Sequence, residues 1–164
     1  MPLRSDWSNR PCAIARALDV VGDPWVLLVL REALLGSRRF EQFREAMEVA
    51  DNVLSRRLQG MVDAGLLRRS AYRGEQRTHH EYLLTEAGAD LLPVLNALAI
   101  WGEKHTAPPT PEAHMTVVHT ACGQASRSAD VCDSCGTAMT AQDTAWLREW
   151  KTPQLTALHP ASQG

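Results

Sequence analysis

The sequence predicts a mainly α-helical domain with one small β-hairpin, followed by a small ribbon-like unit. Three observations carry this reading. Four short segments with apolar residues at helical spacing precede two strand-like runs joined by a polar, glycine-containing tip. A longer apolar helical segment follows. A proline-rich stretch then leads into a region where one histidine and three cysteines recur as two closely spaced pairs.

The first helix is expected from Pro11 to Val21, with Ile14, Ala17, Leu18 and Val21 at helical spacing and Gly22 at its end. Asp23 caps a second helix that has Pro24 at its first position. That helix, PWVLLVLREALL, is apolar nearly all round and is expected to be the buried centre, with Gly36 stopping it. A third, Arg39 to Met47, turns Phe40 and Phe43 inward. Asp51 or Asn52 caps a fourth, Val53 to Ala64, which Gly65 stops. Residues 66–72 and 78–84 are the strands, and RGEQR is the tip between them. Thr85 caps a long helix from Glu86 to His105, with Pro93 inside it as a site for a kink. Its apolar residues, among them Leu91, Leu95, Leu98 and Trp101, cover most of its circumference. One small domain cannot bury so much, which predicts a subunit interface.

Residues 1–105 are thus expected to form one domain, 106–114 a linker with three prolines, and 115–164 the ribbon-like unit. A last helix from Gln142 to Trp150 and a polar tail are expected to close it. With 164 residues and 45% hydrophobic content, the chain is long and apolar enough for a proper core. The opening MPLRSDWSNR lacks the apolar run of a secretory signal, and the stretch from Val20 to Leu35 is too short and too charged to span a bilayer. The expectation is a cytoplasmic protein, away from membranes, whose cysteines are not structural disulfides.

A formal charge of −2 argues against a nucleic-acid partner until its distribution is read. Between residues 53 and 77, six arginines face Asp63 and Glu75, a local net of +4, whereas the region after residue 105 is acidic. Short helices followed by a hairpin give the element order of a winged helix-turn-helix, whose recognition helix lays its polar face on base edges. The fourth helix fits: Leu54, Leu58 and Met61 share one face, and Asn52, Ser55, Arg56 and Gln59 the opposite one. Arg57 sits at the flank, better placed for phosphate. Arg73, Gln76 and Arg77 put charge and an amide at the hairpin tip, for a minor groove or backbone. Arg38 and Arg39 complete the candidate DNA-contacting set. The competing reading of the fourth helix is an ordinary solvated face. At the level of function the competitor is a winged helix that binds protein, with the ribbon as docking surface. No nucleophile elbow, phosphate loop or paired catalytic carboxylates point to an enzyme.

His119-x2-Cys122 and Cys132-x2-Cys135 are each followed directly by glycine, the spacing of a zinc ribbon. Three thiolates and one imidazole supply a tetrahedral zinc site, with His114 as an alternative fourth ligand. A fragment this small cannot build its own core, so a structural zinc would supply most of its folding energy. A metal-free hairpin is the alternative. No general base accompanies the set, which argues against catalytic zinc.

Three segments together carry a family resemblance: CAIARALDVVGDPWVLLVLREALLGSRRFEQFREAM, NVLSRRLQGMVDAGLLRR and EYLLTEAGADLLPVLNALAIWGEKH. They resemble the HxlR family of winged-helix regulators, related to the MarR group, over about Cys12 to His105. The most specific elements are the Gly22-Asp23-x-Trp25 turn, the NVLS-x-RL helix and the YxLT-x-x-G entry to the last helix. Ala13 stands where the family usually has proline, and the wing tip lacks the usual prolines. The resemblance implies a homodimer reading a palindromic DNA site. It also implies, for some members, sensing of quinones, aldehydes or oxidants through a cysteine at the position of Cys12. Here Cys12 opens the first helix beside Arg10 and Arg16, where positive charge favours a thiolate. The alternatives are a cysteine that only packs and a non-covalent small-molecule effector held between the long helices.

Overall fold

The computed structural model describes residues 6–73 and 78–161. Helices α1 (Ala13–Val21), α2 (Pro24–Leu34), α3 (Phe40–Met47) and α4 (Asp51–Asp63) lead into a two-stranded antiparallel hairpin, β1 (Leu67–Arg73) and β2 (Thr78–Leu84). Helices α5 (Glu86–Ala89) and α6 (Leu92–His105) follow. A four-stranded antiparallel sheet of β3 (Met115–His119), β4 (Gln124–Ala125), β5 (Thr144–Arg148) and β6 (Thr152–Ala157) has the order β4-β3-β5-β6. No helix among the described residues is long and apolar enough to cross a membrane.

Asp23 caps α2 as expected: its carboxylate accepts from the Trp25 amide at 3.0 Å, and Pro24 fills the first helical position, where no donor is missed. Val29, Leu30 and Leu34 of α2 are fully buried, with Phe43 of α3 and Leu54, Leu58 and Met61 of α4 packed around them. α3 begins after Arg39, where the Gln42 side chain accepts from the Arg38 and Arg39 amides at 2.9 Å each. Strand register runs from Leu67↔Leu84 to Arg73↔Thr78. Thr85 caps α5 through the Gly88 amide at 3.1 Å.

Three sequence expectations need correction. First, neither Asp51 nor Asn52 caps α4. Ala50 is the N-cap and makes no side-chain bond, while Asp51 sits in the first turn, where its charge suits the helix dipole. Secondly, the long helix is two helices. Pro93 lies in the first turn of α6, the one place where its missing N–H costs nothing, so the chain restarts there rather than kinks. Thirdly, the helix expected from Gln142 to Trp150 is strand β5, and much of the polar tail is β6. Thr144 and Trp146 suit a strand as well as a helix, and β3 on one side and β6 on the other satisfy the backbone of β5.

The C-terminal unit shares the core of the helical unit. Val117, Cys132, Met139, Trp146 and Leu158 belong to the same buried cluster as Leu30, Leu34 and Leu95. The His159 amide donates to the Leu34 carbonyl at 2.8 Å, satisfying one of the open carbonyls at the end of α2. After the 106–114 segment, Glu103 of α6 holds both the Met115 amide (2.7 Å) and His114 Nδ1 (2.8 Å).

Candidate nucleic-acid interface and metal centre

α4 is amphipathic in the expected sense. Leu54, Leu58 and Met61 anchor it on α2 and α3, and Asn52, Ser55, Arg56 and Gln59 are exposed. That leaves a polar face carrying side chains able to make paired hydrogen bonds to bases. Gln59 also donates to Asp63 at 2.8 Å, one turn on. Arg57 is placed differently. Its guanidinium pairs with Asp23, the cap of α2, and so ties the start of α2 to the middle of α4.

Arg38 and Arg39 are exposed at the entry to α3. The Arg39 guanidinium lies 4.7 Å over the Tyr72 ring of β1 and 3.5 Å from Glu81 of β2, so it struts the hairpin against α3. The Tyr82 amide donates to the Arg38 carbonyl at 2.7 Å, a second tie between the same elements. Gln76 and Arg77 lie outside the described residues, as does the side chain of Arg73.

Cys12 is exposed at the N-cap of α1, and its side chain makes no capping bond. The nearby Arg16 guanidinium donates to the Arg10 and Pro11 carbonyls, at 2.9 and 2.7 Å. α1 buries none of its residues in the chain: Ile14, Leu18 and Val20 are exposed. Val94, Leu98 and Trp101 of α6 are exposed as well. Leu95, read from the sequence as an interface residue, instead belongs to the chain's own core, because α6 turns that side toward α2 and the second sheet.

The fold brings His119, Cys122, Cys132 and Cys135 together, with one potential ligand atom from each lying within 4.8 Å of the others. His119 Nδ1 is 3.3 Å from Cys122 Sγ and 3.3 Å from Cys135 Sγ, and Cys122 Sγ is 3.7 Å from Cys132 Sγ. Bonds of about 2.3 Å to sulfur and 2.0 Å to nitrogen on a tetrahedron give edges close to these, so the residues fit a zinc ion. The two knuckles are alike. Gly123 and Gly136 take φ of +71° and +74°, and their amides return to the His119 and Cys132 carbonyls at 2.8 Å each. A residue with a Cβ would be strained in either turn. Cys135 is held down to about 6, chiefly by hydrogen bonds from the Thr137 hydroxyl and amide, then by Cys132 and Cys122. His119 Nε2 is buried without a hydrogen-bond partner, and Asp143 Oδ2 lies 4.0 Å away. A carboxylate behind a histidine is a common outer shell for a metal ligand. Asp143 gave no signal in the sequence, because nothing local marks it. His114, the alternative ligand, pairs with Glu103 instead.

Residues 20–110 match the profile of the HxlR-like helix-turn-helix family. A Mycobacterium tuberculosis protein described as an uncharacterised HTH-type transcriptional regulator is 38% identical over 132 residues, covering 80% of this chain and 82% of the relative. An alignment of that length cannot fit within the first 105 residues, so it continues into the C-terminal unit. A Methanothermobacter thermautotrophicus regulator of the same description is 33% identical over 95 residues, 57% of this chain and 72% of its own. The crystal structure of the transcription-factor candidate PA1607 superposes with a TM-score of 0.67 at 34% identity, covering 85% of this chain and 96% of that one. The redox regulator HypR in its reduced form gives 0.52 at 28% identity, covering 57% and 92%. With its profile match, its relatives and its winged helix-turn-helix in agreement, the chain belongs to the HxlR-like helix-turn-helix family, whose members are transcription regulators rather than enzymes.

Proposed function

We propose that this regulator binds duplex DNA sequence-specifically as a homodimer on a palindromic operator. The observation that carries the reading is the exposed face of α4. Asn52, Ser55, Arg56 and Gln59 are presented together there, on a helix fixed from behind by three buried apolar residues. Arg56 and Asn52 are the base-reading candidates. Arg38 and the wing residues Arg73, Gln76 and Arg77 are assigned to the DNA backbone or minor groove. Arg57 and Arg39 hold the reading head in shape through Asp23, Tyr72 and Glu81.

The dimer reading rests on the apolar faces of α1 and α6. Ile14 is 73% and Trp101 59% exposed, and together with Leu18 and Leu98 they form surface that a second copy would cover. The His119, Cys122, Cys132 and Cys135 cluster is assigned to a structural zinc, which would cross-link the knuckle at the end of β3 to the second knuckle. The protein would respond to a redox or small-molecule signal. Cys12 is exposed at the N-cap of α1, beside the proposed dimer face, and one structural neighbour is a redox regulator solved in reduced and oxidised forms.

Sequencing the genomic fragments retained by the purified protein tests the central reading. The expected result is an inverted repeat with half-sites about 34–36 Å apart, or a multiple of one helical turn. Retention without any shared motif would overturn it.

A further inference from the structure

The two units border a solvent-open cavity of about 230 Å³ that the reading head does not use. Arg31 and Glu32 of α2 line one side, and Met115, Arg148, Trp150 and Lys151 of the C-terminal unit line the other. Ala46 of α3 closes an edge. Its charges do not balance. Three cations share one carboxylate, and that carboxylate is already engaged: Arg31 Nε donates to Glu32 Oε1 at 2.8 Å. Arg148 Nε is buried and has no hydrogen-bond partner among the described residues. Burial, and Arg31 nearby, hold the Arg148 guanidinium below its ordinary value, against the pull of Glu32. A guanidinium N–H buried without a hydrogen-bond partner is costly, and an acceptor there removes the cost.

We propose that this cavity is a binding site for a small organic carboxylate with an apolar body. The carboxylate would accept from the Arg148 fork, whose planar geometry matches two carboxylate oxygens. Arg31 and Lys151 add favourable charge, and the body would lie against Met115 and Trp150. The volume is below the roughly 300–1,000 Å³ of sites for drug-sized ligands, which restricts the occupant to a small metabolite. The site spans α2, α3 and the β5–β6 turn, and α3 leads directly into α4, so an occupant touches the elements that set the reading helix. The role of effector rests on the DNA-binding reading above, but the site itself does not.

The test is calorimetric titration of the full-length protein with hexanoate, with 1-hexanol as the uncharged counterpart and inorganic phosphate as a competitor. One hexanoate site per chain is expected, with no binding of 1-hexanol and no displacement by equimolar phosphate. Arg148→Met should weaken hexanoate about tenfold or more, the loss of a hydrogen bond to a charged group. Trp150→Ala, at a half-exposed position where folding is less at risk, should weaken it independently. The proposal falls if hexanoate gives no heat at millimolar concentration, if both variants bind it as the native chain does, or if phosphate displaces it equally, an adventitious ion only. No arm uses DNA, so failure here and failure of the DNA-binding reading are separate results.

Discussion

Trp146 Nε1 donates to Asn96 Oδ1 at 2.9 Å across 50 residues of sequence, and both side chains are fully buried. Asn96 Nδ2 in turn donates to the Ala129 carbonyl at 2.9 Å. One amide on α6 thus satisfies the indole of β5 and a backbone carbonyl of the loop before the second knuckle. It ties the C-terminal unit to the helical unit, because buried polar groups keep their hydrogen-bond partners.

Asn96→Ala should therefore destabilise the whole chain by about 2–4 kcal/mol, since it strands a buried donor and a part-buried acceptor together. Urea unfolding followed by far-ultraviolet dichroism measures it. Trp146→Phe removes the donor and also leaves a cavity where the second indole ring stood, so it too should destabilise. No loss from Asn96→Ala would mean that the pair does not join the two units.

Arg56→Ala should weaken binding to the operator more than to random DNA. A lost bidentate base contact costs about 1–3 kcal/mol of discrimination. Arg77→Ala should weaken all duplexes alike and reduce the salt dependence. Arg57→Ala is expected to behave differently again, lowering thermal stability through the lost Asp23 pair. Fluorescence anisotropy on both DNAs, over a salt series, separates the three.

Protein purified without added metal should contain about one zinc per chain. Cys122→Ser or Cys132→Ser should abolish it, and chelation should lower the melting temperature, because metal binding to such a site is coupled to folding. Metal-free protein whose three C-terminal thiols all react freely in the folded state would exclude the site.

Stability should fall through His114 as pH rises above about 6.5. Glu103, and Glu149 more weakly, hold its folded-state value above the ordinary 6.5. The contribution is complete below about pH 6.5 and is lost as pH rises through the raised value. The effect is small, because the pair is exposed and screened by solvent. Glu103→Gln should flatten the pH dependence of the melting temperature above about pH 6.5. An unchanged profile would assign that dependence to other groups.

Local chemistry was enough to read most of the helical unit, though not the cap of α4 or the break between α5 and α6. Apolar periodicity marked α1 to α4, Asp23-Pro24 and Thr85 marked two helix starts, and two strand-like runs around a polar, glycine-containing tip marked the hairpin, because each signal acts within a few residues. The pairing of His119-x2-Cys122 with Cys132-x2-Cys135 was legible for the same reason: each knuckle is a local turn closed by glycine. What tertiary structure decided was everything that depends on a distant partner. Residues 144–148 have no decisive local preference and became a strand because β3 and β6 offered hydrogen bonds on both sides. That placement carried Arg148 and Trp150 to the cavity against α2, where a helix would have left no such wall. Arg57 is committed to Asp23 by the crossing of α2 and α4, which no spacing reports. Leu95 faces inward, while Leu98 and Trp101 face out, because the second sheet packs on one side of α6 and leaves the other bare.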